Sequence, residues 1–118
     1  MSDYKDLNVW QESINLVEDV YKIVKLFPRE EAYALSDQLR RAVVSIASNI
    51  AEGSNRNTQK EFIQFLYIAL GSAAEVETQL IIANRLNYIN GFERESNKIM
   101  KIRKMLNALI GSLKRNVT

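Results

Sequence analysis

Histidine and cysteine are both absent from the chain, proline occurs once and glycine four times. Without cysteine there is no disulfide framework, thiolate nucleophile or thiolate zinc site, which suits a reducing cytoplasm. Without histidine, the usual general base, the Ser-His-Asp arrangement and the Glu-x-x-His motif of di-iron bundles are excluded. No glycine-rich phosphate loop appears either, since Gly53 stands alone. No cofactor, metal or catalytic residue is therefore expected, and the chain reads as a non-enzyme. Long apolar runs are missing too. The longest charge-free stretch, Phe62 to Ala74, falls short of the roughly 20 residues that cross a bilayer, and Glu61 and Glu75 bracket it. The opening MSDYKDLN offers no apolar secretory segment, so a cytoplasmic protein with no membrane partner is expected.

What is present describes a globular chain. Of its 118 residues 47% are hydrophobic and 25% charged, enough apolar surface to bury one core and too few residues for two ordinary domains. The net charge of +2 is unevenly placed, because Gly91 to Thr118 holds seven basic and two acidic residues while the rest of the chain is slightly acidic. Scarce glycine and proline punctuate four periodic segments, and a single domain over residues 1–118 is expected.

The first segment, about 9–27, repeats Trp10, Ile14, Val17, Tyr21 and Val24 at helical spacing, with Asn8 and Gln11 as a capping pair and Glu18 with Lys22 as an i,i+4 pair. Phe27 then meets Pro28, which disfavours helical geometry before it. The second, about 34–52, carries Leu35, Leu39, Val43, Ile46 and Ile50 and runs into Gly53 as a helix end. The third, about 59–86, opens on a capping box at Thr58 and Glu61. Its series is Phe62, Phe65, Leu66, Ala69, Ala73, Val76, Leu80 and Ala83, with Asn87 suited to a left-handed stop. The fourth, about 91–115, opens on another capping box at Asn90 and Glu93 and carries Ile99, Ile102, Leu106, Leu109, Ile110 and Leu113. Short connections between four amphipathic helices favour an all-α, antiparallel up-down-up-down four-helix bundle.

Helices two and three carry too little charge for a bundle that stands alone. Ala42 to Ala51 has no charge in nearly three turns, and Ser45, Ala47, Ser48, Asn49 and Ala51 add small groups beside the apolar stripe. The third helix supplies Gly71 and Ala74 within its own uncharged run. Tight packing within one subunit is one account; a homo-oligomer interface is the preferred one, since a single bundle cannot easily cover two whole helix surfaces. Ser48→Glu or Ala51→Arg then separates the subunits. Glu52, with Arg40 or Arg41 as partner, reads as a structural ion pair rather than a catalytic acid.

On an ideal helix Arg94, Lys98, Lys101, Lys104 and Arg115 share a sector of about 120° away from the apolar stripe. Such a face either keeps the protein soluble or meets successive phosphates of RNA or DNA, and repetition around an oligomer favours the second. With no aromatic groups between these charges, binding led by the nucleic-acid backbone is expected.

The strings DLNVWQESINLV, QLRRAVVSIASNIAEGSNR and KEFIQFLYIALGSAAEVETQL closely resemble the small bacterial four-helix-bundle proteins encoded in intervening sequences of 23S ribosomal RNA genes. These in turn are similar to the accessory variability determinant proteins of diversity-generating retroelements. The resemblance covers Asp6 to Ile89, while the fourth helix matches only in character. It implies a homopentameric barrel and, in the retroelement branch, a positively charged adaptor that binds nucleic acid and a reverse transcriptase. Relatives usually carry proline at the position of Ala47 and glycine at that of Asn87; the first change should straighten the second helix.

Overall fold

The computed structural model describes residues 3–116 as four α-helices and two short 3-10 turns, with no strand among the described residues. A turn at Tyr4–Asp6 leads into α1 (Asn8–Val24), and a second at Arg29–Glu31 follows Pro28 and precedes α2 (Leu35–Ser54). The longest helix, α3, spans Gln59–Arg85, and α4 spans Glu93–Arg115. The helices pack as neighbours in chain order, α1 on α2, α2 on α3 and α3 on α4, and α4 returns against α1.

Local chemistry sets most of the ends. Thr58 Oγ1 accepts the Glu61 N–H at 3.1 Å, the forward half of the expected capping box. Asn87 takes the left-handed conformation, φ 62°, and the Tyr88 N–H reaches back to the Ala83 carbonyl at 2.9 Å, closing the last turn of α3. Two other expected caps do not form. Asn8 is already helical, with Leu7 at the cap position, and the Gln11 amide donates to the Lys5 carbonyl at 2.8 Å instead. Asn90 does not cap α4, which starts from Phe92; Asn84 Oδ1 takes the Gly91 N–H at 2.9 Å, where φ of 84° at Gly91 makes the turn. Nor do Glu18 and Lys22 form an ion pair, although both side chains are exposed.

The core follows the predicted series on three helices. Leu39, Val43, Ile46 and Ile50 of α2 are fully buried, as are Leu66, Ala69, Ala73, Val76, Leu80 and Ala83 of α3 and Ile99, Ile102 and Leu106 of α4. Leu35, Phe62, Phe65, Leu109 and Leu113 are half-buried at the margins. On α1 the expected stripe is displaced. Of that stripe Val24 enters the core, joined by Val9, Leu16 and Val20, whereas Trp10, Ile14 and Val17 are half-buried and Tyr21 is 42% exposed. The two sets lie side by side on one apolar arc of about 160° on an ideal helix. That arc is wider than a single neighbouring core covers.

Gly53 is a second correction, since α2 continues through it to Ser54. A Cβ at Gly53 would stand 2.6 Å from Phe65 Cβ and 2.9 Å from Phe62 Cδ1, so the glycine serves the close approach of α3 rather than a helix end. At the far end of the molecule the Tyr88 hydroxyl donates to the Glu31 carboxylate at 2.6 Å, tying the α1–α2 connection to the α3–α4 turn. This bond is the main reason the phenol is held above its ordinary pKa.

Candidate nucleic-acid interface

The five predicted cations of α4 separate into two groups. Arg94 and Lys98 both reach Asp19 of α1, Arg94 at 3.7 Å, and Lys101 reaches Glu12 at 3.0 Å. Arg103, on the opposite flank, meets Glu77 of α3 at 3.6 Å. Among the described residues Lys104 and Arg115 form no ion pair, and neither does Lys114. Helix geometry explains the division. Residues 94, 98 and 101 lie on the flank of α4 that turns toward α1, whereas 104 and 115 differ by only about 20° around the axis and lie opposite the core stripe. Glu12 and Asp19 are seven apart on α1 and so share a face; that spacing was the available sign in the sequence that part of the basic sector is neutralised internally.

The Asp19 pair is more than a surface contact. The Asp19 side chain is 10% exposed and that of Lys98 24%, so the bridge sits largely out of water. Surface bridges contribute under about 1 kcal/mol, whereas breaking a buried one costs about 3–5 kcal/mol because a charge is left unpaired. With Arg94 still at 3.7 Å, Lys98→Ala is expected to lower stability by about 2 kcal/mol in urea unfolding, and adding Asp19→Ala should recover part of the loss. A loss below about 0.5 kcal/mol for Lys98→Ala would show that water screens the bridge.

Tertiary packing also builds a cluster that the linear reading did not reach. Lys114 Nζ donates to the Tyr67 hydroxyl at 2.7 Å and lies 5.2 Å from the ring centroid. Lys60, seven residues before Tyr67 on the same face of α3, lines the same open groove between the start of α3 and the end of α4. Tyr67 and Lys114 are 47 residues apart, and no local pattern joins them.

The small residues singled out on α2 and α3 occupy three places. Ser45 and Asn49 serve the α2–α3 seam: the Ser45 and Ser72 hydroxyls are 2.9 Å apart, and Asn49 Nδ2 donates to Ser45 at 2.8 Å. Ala47, Ser48 and Ala51, with Val44, form one wall of an open groove of about 300 Å³; Tyr4, Trp10, Ile14 and Val17 form the other. No charged side chain lines it. Gly71 and Ala74 lie exposed on the outer face of α3. The anticipated ion pair is corrected. Glu52 meets Arg56 at 3.3 Å, Arg41 meets Asp37 at 3.0 Å, and Arg40 donates to the Ala32 carbonyl at 3.3 Å. Residues 40 and 52 are about 18 Å apart along one helix, beyond any side-chain contact.

The sequence model of the 23S rRNA-intervening sequence protein family matches residues 5–108. No curated protein matches the chain. Among solved structures, the chain is similar to a protein of unknown function from the S23 ribosomal protein family of Bacteroides thetaiotaomicron VPI-5482. The identity is 29% and the TM-score 0.80, covering 87% of this chain and 95% of that one. With a family match over most of its length and the same helical fold in a solved relative, the chain belongs to the 23S rRNA-intervening sequence protein family.

Proposed function

We propose that the protein is a non-enzymatic, self-associating adaptor that binds RNA or DNA through the C-terminal half of α4 and presents it to a partner protein. The observation that carries this reading is the group of cations at Lys104, Lys114 and Arg115, which no carboxylate neutralises among the described residues. Lys104 and Arg115 are about 16 Å apart along α4, a span of about five base steps at 3.4 Å each. Each subunit is an up-down-up-down antiparallel bundle, a reading supported by the order of the ion pairs: Asp19 meets Lys98 and the earlier Glu12 meets the later Lys101. Subunits associate through the uncharged α1–α2 groove, and five copies are expected from the resemblance. Each copy then adds its cations to one polyanion track, so weak individual contacts combine.

Phosphate contacts release counterions, so the logarithm of affinity falls with the logarithm of salt by about 0.9 per contact on duplex DNA. Replacing Lys104, Lys114 and Arg115 by Gln is expected to flatten that slope by about 2–3, whereas Lys101→Gln, already paired with Glu12, leaves it nearly unchanged. Absence of binding to duplex DNA and structured RNA even at low salt would end this reading. The rival is a protein-only scaffold, favoured by the ion pairs that neutralise Arg94, Lys98 and Lys101.

A further inference from the structure

Resting on the nucleic-acid reading above, we infer that the groove between the start of α3 and the end of α4 takes one unpaired nucleotide of a single strand. The base lies against the Tyr67 ring and its phosphates lie between Lys60 and Lys114. The groove is open, measures about 620 Å³ and is lined by Lys60, Ile63, Gln64, Tyr67, Ile68 and Lys114, with two ammonium groups and no carboxylate. Its chemistry matches a nucleotide part by part. Lys60 and Lys114 complement phosphate, Gln64 offers a donor and an acceptor to a base edge, and Ile68, 51% exposed, supplies apolar contact.

Tyr67 is 47% exposed, and Lys114 holds its hydroxyl. Helical side chains lean toward the N-terminus, so a side chain at position 71 would lie over the turn that carries Tyr67. That position is Gly71, where a Cβ would meet nothing within 4 Å. The space one turn beyond the ring is therefore open. In a duplex both faces of each base are occupied by stacking, so only an unpaired base can present a face to this ring. The site thus adds a preference for single strands to the backbone-led binding of α4.

Anisotropy of a labelled oligothymidylate, an abasic strand of the same length and a duplex tests this on the full chain. Tyr67→Ala is expected to weaken oligothymidylate binding about tenfold while leaving the abasic strand and the duplex within about twofold, and Tyr67→Phe should keep most of the affinity. Helicity of each variant is checked by circular dichroism, and alanine at an exposed helical position preserves it. Equal binding of oligothymidylate by Tyr67→Ala and the native chain would overturn the site, and so would an equal loss on all three probes. Duplex binding without oligothymidylate binding would also overturn it and leave the adaptor reading standing. Failure of the native chain to bind any of the three would overturn both.

Discussion

Gly53→Val is expected to lower the stability of the protein by about 3 kcal/mol or more, over half the stability of a domain near the low end of the usual range of about 5–15 kcal/mol. The first added carbon already meets Phe65 Cβ at 2.6 Å, Phe62 Cδ1 at 2.9 Å and the Phe62 carbonyl oxygen at 3.3 Å. A phenyl ring can turn away, but Phe65 Cβ and the Phe62 carbonyl are fixed to the backbone, so relief requires α3 to move off α2. That movement would open the seam on which Ile50 and Leu66 are fully buried. Gly53→Ala isolates the contact. It makes the same first clash yet gains about 1 kcal/mol of helix propensity, so a net loss of about 1–2 kcal/mol is expected from urea unfolding followed by circular dichroism. A neutral or stabilised alanine variant would mean that α2 and α3 have slack at this crossing.

The second large effect concerns assembly. Ser48→Glu and Ala51→Arg should each reduce the native mass in light scattering to that of one subunit, with helicity kept. Ser48 is exposed and Ala51 half-buried in the single chain, so a monomer can hold either charge in water. In an assembly closed over the α1–α2 groove the same charge would face Trp10, Ile14 and Ala47 with no counter-ion, at a cost of several kcal/mol. An unchanged mass for both variants would remove this face as the subunit contact. The apolar arc of α1 is the physical reason to look there. Tyr21, Val17, Ile14 and Trp10 are apolar or aromatic residues that the single chain leaves partly uncovered.

Much of the fold was legible because helices are governed by neighbours in sequence. The 3.6-residue period picked out Leu39, Val43, Ile46 and Ile50, and local chemistry marked Thr58 as a cap and Asn87 as a left-handed stop. The first helix was misread for a related reason. Period reveals that an apolar arc exists, but both halves of a wide arc carry the same period, and Trp10 announced itself more loudly than Val9. Gly53 was misread because glycine signals a stop and a close approach with the same letter.

The candidate site was less legible, since its properties are sums over distant residues. The sequence by itself determined four helices, three of their core faces, an uncharged middle, a cationic fourth helix and the lack of histidine and cysteine chemistry. Only the tertiary structure decided that Glu12 and Asp19 neutralise Lys98, Lys101 and Arg94 while Lys104 and Arg115 have no ion-pair partner among the described residues. It alone brought Lys114 to the Tyr67 hydroxyl, in the groove that Lys60 also lines. The physical reason is one of range. Period and capping act over three or four residues of one helix, whereas the field at a side chain and the room around a ring depend on whichever helix packs alongside.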